Sequence, residues 1–278
     1  MNKCTFFSLI FLFLYPIHAF CFELSYSPEH VVQGDVITLK VISDNNVIPE
    51  GKIGNRDIFF HKKAAGTFIG LMSTGLEQPP RPYTITVRQG DVEKSINVDV
   101  KKLNARTIEL TLPKDRVTLS PKNEKRAEYE IAQLRKRWAK NSGRKWMGNF
   151  VPPLDTKVST EFGVVRLING HKRSIHRGVD FKGKRGDPIR SINGGVVSIT
   201  DDQFFGGKTV MIDHGDGIYS IYMHLDTILV EEGTKVVNGE TIGLVGSTGR
   251  ATGPHLHMTV KWSGLTINPV SLFKVPVE

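Results

Sequence analysis

The sequence predicts a mainly β protein of two folded units joined by one helix, and three observations predict it. Short alternations of apolar and polar residues recur over residues 22–112; one stretch, residues 120–138, instead carries apolar side chains at steps of three and four; and from residue 150 onward glycine becomes frequent while nearly every apolar run alternates again. At 278 residues the chain exceeds the usual size of a single domain, so two units and a leader are expected.

The elements follow in order. Residues 1–21 have the character of a secretory signal: Lys3 supplies a positive start, residues 6–15 an apolar block, and Pro16 and Ala19 its end. That block is about ten residues long where a membrane span needs roughly twenty, so a cleaved leader with no remaining membrane span is expected. Cleavage is expected after Ala19 or, alternatively, after Cys21; the only other cysteine, Cys4, lies inside the leader, so the mature chain has no intramolecular disulfide and its core alone holds the fold. Over 22–112 the runs Ile37-Leu39-Val41, Tyr83-Ile85-Val87, Ile96-Val98-Val100 and Ile108-Leu110-Leu112 alternate between turn signals such as Gln33-Gly34-Asp35 and Gln89-Gly90-Asp91. This is the pattern of a small immunoglobulin-like β sandwich lacking paired cysteines. A basic helical linker, 113–149, comes next: Ser120 is placed to cap it, Pro121 to open it, and Ala127, Ile131, Leu134 and Trp138 to form its apolar stripe. The last unit, 150–278, reads as a glycine-rich antiparallel β fold, with hairpin chemistry at Asp213-His214-Gly215-Asp216-Gly217 and at Asn238-Gly239.

The formal charge is +9, which suits an anionic partner. Between Lys122 and Lys145 alone there are nine Lys/Arg against three Glu, a solvated face or an electrostatic contact. Without an aromatic-basic recognition motif in an exported chain, nucleic acid is excluded as that partner. The carboxylates on the stem peptides of a cell wall fit the export signal better.

Chemistry concentrates in the last unit. In an extended strand alternate side chains share a face, so His255 and His257 point one way while Leu256, Met258 and Val260 point into a core. Upstream, His176 and Asp180 are four residues apart around Gly178 and also share a face. His224 ends an alternating run in which Tyr219, Ile221, Met223 and Leu225 form the core side. Two histidines and a carboxylate with room for a water make a zinc-hydrolase ligand set. His30 and His61 are expected to be structural or surface residues, and His171 and Arg173, before His176, to lie where substrate contact is possible.

The series Phe162-Gly163, His176-x-Gly178-x-Asp180-Phe181, Gly186-Asp187-Pro188-Ile189, Gly194-Gly195-Val196-Val197, Asp213-His214-Gly215, Tyr222-Met223-His224-Leu225, Gly239-Glu240-Thr241-Ile242-Gly243 and Gly253-Pro254-His255-Leu256-His257 resembles the lysostaphin/LytM-type zinc metallopeptidases, which cut peptide cross-links of peptidoglycan. The resemblance implies a LytM-type peptidase domain over 150–278 with Zn2+ held by His176, Asp180 and His257 and a water in the fourth position. It implies His255 as general base and His224 as the group that orients the water or stabilises the oxyanion. Binding of zinc by His255 instead of His257 is the competing assignment. The function implied is a periplasmic zinc endopeptidase acting on peptidoglycan stem peptides. The rival is a non-enzymatic activator or binder of another wall hydrolase; such relatives have lost metal ligands, and all five positions are filled here.

Overall fold

The computed structural model describes residues 21–111 and 117–277. The expected signal peptide, Cys21 apart, and Leu112 lie outside them. Twenty-one strands and two helices are described. The first unit holds β1 (Glu23–Ser27), β2 (Val31–Val32), β3 (Val36–Ile42), β4 (Glu50–Ile53), β5 (Arg56–Ala64), β6 (Thr67–Ser73), β7 (Pro82–Gln89) and β8 (Val92–Lys101). Their order is β1-β3-β6-β5-β4-β7-β8-β2. The first half of β5 pairs with β4 and its second half with β6, so this strand passes from one layer to the other, a usual way of turning a corner between packed sheets. Between the layers lie Ile37, Leu39, Val41, Phe60, Phe68, Ile85, Val87, Val98 and Val100, all buried, in agreement with the alternation of the sequence.

Strand β9 (Thr107–Leu110) departs from that pattern. The alternation of Ile108, Leu110 and Leu112 assigns it to the sandwich, but it pairs in parallel with β11 (Val165–Ile168), which also binds β12 (Lys172–Ile175) in a three-stranded sheet. Strand β8 already has β7 on one edge and β2 on the other, whereas β11 has a free edge.

Helix α1 (Pro121–Trp138) begins as the sequence indicates, with the Asn123 backbone N–H donating to Ser120 Oγ at 3.3 Å. Ala127 and Leu134 are buried, and Leu134 packs with Ile199, Met211, Tyr219 and Ile221 of the last unit. Its charges turn to the same neighbour: Arg126 donates to the Asp202 carbonyl and Arg137 pairs with Glu232 at 2.9 Å. Among the described residues no helix is long and apolar enough to cross a membrane.

The remaining strands are β10 (Val158–Thr160), β13 (Val179–Lys182), β14 (Pro188–Arg190), β15 (Gly195–Gln203), β16 (Gly207–Gly215), β17 (Ile218–Ile228), β18 (Lys235–Val236), β19 (Thr241–Val245), β20 (His255–Trp262) and β21 (Leu265–Ile267), followed by α2 (Pro269–Leu272). The central order is β10-β13-β20-β17-β16-β15-β18, antiparallel throughout. Leu256, Met258 and Val260 are fully buried beneath the sheet, each contributing about 1.5–3 kcal/mol of burial. The two units are docked by backbone and side-chain bonds, among them Leu76 N–H to the Thr266 carbonyl at 2.8 Å, Asn268 N–H to the Gly34 carbonyl at 2.8 Å and His61 Nε2–H to Asp216 Oδ2 at 2.8 Å. His61 is thus a structural link, as expected.

His214 is structural too, and titratable. It is fully buried; Nδ1–H donates to the Gly194 carbonyl at 2.7 Å and Nε2 faces Ser220 Oγ at 2.7 Å, while burial pushes its pKa down from 6.5 to about 4. A histidine depressed in the fold takes up its proton more readily when unfolded, so its contribution is complete above about pH 6.5 and is lost as pH falls towards 4. Chemical denaturation at pH 7 and pH 4.5 should therefore show an acid-side loss roughly 2–3 kcal/mol larger for the native chain than for His214→Gln. Equal losses would show that His214 is not held neutral.

Candidate active site

Adjacent strands bring the candidate ligands together. Asp180 on β13 lies opposite His257 on β20, and His257 lies opposite Met223 on β17. His176 follows β12 and leads through Gly178 into β13. A Cβ at Gly178 would stand 2.3 Å from the Met258 carbonyl oxygen and 2.8 Å from His257 Nε2, which explains why glycine separates the two upstream residues. The ligand atoms of His176, Asp180 and His257 all lie within 4.8 Å of one another. Asp180 Oδ1 is 2.9 Å from His176 Nε2 and 2.6 Å from His257 Nδ1, and those two nitrogens are 3.0 Å apart.

The outer contacts of these rings decide which nitrogens face inward as lone pairs. A carbonyl can only accept, so His176 Nδ1, 2.8 Å from the Glu161 carbonyl, carries the proton and leaves Nε2 bare. Thr259 Oγ1, 3.1 Å from His257 Nε2, offers that ring an acceptor on its outer side. With protons drawn outward, two imidazole lone pairs and a carboxylate converge. Such an arrangement repels itself unless a cation sits among them, and N,N,O donors fit Zn2+. Burial by itself would raise the Asp180 pKa, but the adjoining His176 and His257 rings hold it well below the usual carboxylate range. Burial pushes His257 down, favouring the neutral ring that a metal needs.

His224 reaches the site by a route that simple alternation does not describe. By period two its side chain would follow Tyr222, which is fully buried in the core beneath the sheet, while Tyr219, Ile221 and Met223 lie on the catalytic face against α1. Both faces of β17 are therefore covered, and the expected apolar side of this run is the face that carries His257. An extra residue in β17, between the pairs Lys208–Leu225 and Val210–Tyr222, breaks the alternation. His224 takes φ +67°, and its ring swings to within 4.8 Å of His255 and 6.1 Å of His257, centre to centre. Nδ1–H of His224 donates to the Thr248 carbonyl at 2.9 Å, and Nδ1–H of His255 to the Gly253 carbonyl at 2.8 Å. Burial, then the neighbouring His257 and His255, lower the His224 pKa to about 3, so it is neutral at physiological pH.

Other expectations and omissions can be placed. His171 is exposed at the tip between β11 and β12, and Arg173 is exposed on β12; neither lines the cleft. Sequence reasoning passed over Arg166, whose Nη2–H donates to Asp180 Oδ2 at 3.0 Å, and Arg250. Both line a cleft of about 160 Å3 with Asp180, His224, His255 and His257, and Ile108 and Leu110 of β9 form part of its wall. A lone arginine between apolar neighbours, Val165 and Leu167, was the available signal for Arg166. On the other side of His257 a groove of about 1040 Å3 runs between the catalytic sheet face and α1, past Met223, Thr259, Lys261, Leu134 and Trp138.

Comparison with known proteins agrees with this geometry. Residues 174–269 match peptidase family M23. The chain is 39% identical over 124 residues to the DD-carboxypeptidase/endopeptidase Mpg of Neisseria meningitidis serogroup B, covering 45% of this chain and 29% of that protein. It is 41% identical over 119 residues to the peptidoglycan DD-endopeptidase ShyA of Vibrio cholerae, covering 42% and 28%. The chain therefore spans less than a third of the length of these relatives. A crystal structure of a candidate peptidase M23 from Pseudomonas aeruginosa superposes with a TM-score of 0.68 at 26% identity, over 87% of this chain and 94% of that one. The arrangement of both units is thus shared, and residues 174–269 of this chain form a peptidase family M23 domain.

Proposed function

We propose that this protein is an exported, periplasmic zinc endopeptidase that hydrolyses peptide cross-links of peptidoglycan. The observation that carries the reading is the inward convergence of His176 Nε2, Asp180 Oδ1 and His257 Nδ1 beside two further histidines in an open cleft. The names of the matched relatives, a DD-carboxypeptidase/endopeptidase and a peptidoglycan DD-endopeptidase, support the substrate class. A non-enzymatic binder has no use for a complete ligand set.

His176, Asp180 and His257 would hold the zinc, which supplies Lewis acidity and lowers the pKa of a water. Arg166 keeps Asp180 turned inward by engaging its other oxygen. His255, its side chain 21% exposed and its Nε2 4.0 Å from Asp180 Oδ1, is placed to take the proton of the attacking water and then to return it to the leaving amine. His224 has its Nδ1–H committed to Thr248, so its Nε2 can only accept. That suits orienting a water O–H better than donating to an oxyanion. We assign catalysis to a unit spanning 150–278, with β9 adding Ile108 and Leu110 to the cleft wall; the sandwich of β1 to β8 positions or covers it, and α1 borders the groove.

Incubating the mature protein with purified sacculi and identifying the released peptides by mass spectrometry tests the reading. Cross-linked dimers should give way to monomers, stop doing so with a chelator, and resume with zinc. An unchanged dimer content with zinc bound would overturn it.

A further inference from the structure

The cleft carries more positive charge than its metal ligands require. Arg88, Arg106, Arg137, Arg185 and Arg190 each meet a carboxylate. Arg250 does not: its guanidinium makes no ion pair or side-chain hydrogen bond among the described residues, and its charged neighbour is another cation, Arg166. Desolvation and Arg166 both lower the Arg250 pKa, the signature of a cation short of a partner. Arg166 spends one N–H on Asp180, and its Nε is buried with no acceptor.

Arg250 is also held in place. Its guanidinium carbon lies 4.2 Å from the centre of the Phe205 ring, and its backbone N–H donates to the Phe205 carbonyl at 2.9 Å. The two loops touch so closely that a Cβ on Gly249, at φ +68°, would stand 2.3 Å from the Gly207 nitrogen. A stacked, pre-positioned guanidinium loses little freedom on binding a planar anion. The space it lines, about 160 Å3, equals roughly five waters, enough for one small residue. Thr160, Ser174 and Thr252 add hydroxyls to the same wall.

We propose that Arg250, with Arg166 beside it, binds a free carboxylate of the substrate peptide one residue from the bond that is cut, and so selects peptides that carry one there. The inference rests on the endopeptidase reading for its substrate, while its test does not depend on turnover. The probes are the peptide diacetyl-L-Lys-D-Ala-D-Ala, with its terminal carboxylate, and the corresponding carboxamide. In the full-length, zinc-loaded His255→Ala protein, calorimetric or NMR titration should show the carboxylate binding about ten-fold or more tighter than the amide, as a charge-assisted bidentate pair implies. Adding Arg250→Gln should erase that difference, and Arg250→Lys should restore part of it. In the otherwise native enzyme, Arg250→Gln should raise KM for a cross-linked muropeptide dimer about ten-fold with kcat and zinc content little changed. A merely structural stack on Phe205 would weaken acid and amide alike, and that result, or equal binding of the two probes before substitution, overturns the proposal. If cross-linked sacculi stay uncut but the binding preference follows Arg250, the carboxylate site stands and the endopeptidase reading falls.

Discussion

Replacing His257 by Ala is expected to remove both bound zinc and hydrolysis, leaving a folded chain. The side chain is held on β20 directly across from Asp180, and its Nδ1 closes the donor set at 2.6 Å from Asp180 Oδ1. Alanine keeps the strand and its buried underside, Leu256 and Met258, so the fold should survive. No other imidazole can take its place without rearrangement, because the nearest, His255, has Nε2 4.0 Å from that oxygen and its Nδ1–H committed to the Gly253 carbonyl. Metal analysis of the purified variant decides the point. Full zinc content in His257→Ala would sink the ligand assignment and favour His255, whose own replacement would then empty the site.

Much of this centre was legible in the sequence because its spacing rules are local. Period two in a strand sets His255 and His257 on one face with Leu256 and Met258 below, and β20 runs over His255–Trp262 as the pattern indicates. The same holds for α1, whose Ser120 cap and Pro121 start are short-range signals. What was not legible depends on contacts between distant segments. The parallel pairing of β9 with β11 joins residues 107–110 to 165–168, and a run such as Ile108-Glu109-Leu110 has no feature that distinguishes that partner from β8. The extra residue in β17 is equally silent: the run up to His224 alternates well, and only pairing with β16 reveals that the period fails. Arg166 and Arg250 were overlooked for the same reason, since each owes its placement to a neighbour far along the chain, Asp180 and Phe205.

The strain at His224 shapes the last expected result. Removing either non-ligand histidine should leave zinc in place and reduce turnover by about 10²–10⁴-fold, the usual contribution of a proton-transfer group. For His255 alanine is a fair probe, since its backbone belongs to a regular strand. For His224 it is not: at φ +67° the backbone sits in a left-handed conformation that costs most residues about 1–2 kcal/mol, and an alanine there would confuse lost chemistry with a relaxed bulge. Asparagine tolerates that conformation, and its amide can donate to the Thr248 carbonyl, which accepts from His224 Nδ1–H at 2.9 Å. His224→Asn should therefore keep the bulge, the zinc and the thermal stability while losing the Nε2 lone pair in the cleft. Kinetics on soluble cross-linked muropeptides, with zinc measured in the same samples, separates the roles. A fall in kcat at unchanged zinc content for both His255→Ala and His224→Asn fits two proton-handling groups; near-normal hydrolysis by either removes that histidine from the mechanism, and loss of zinc from either makes it a ligand instead.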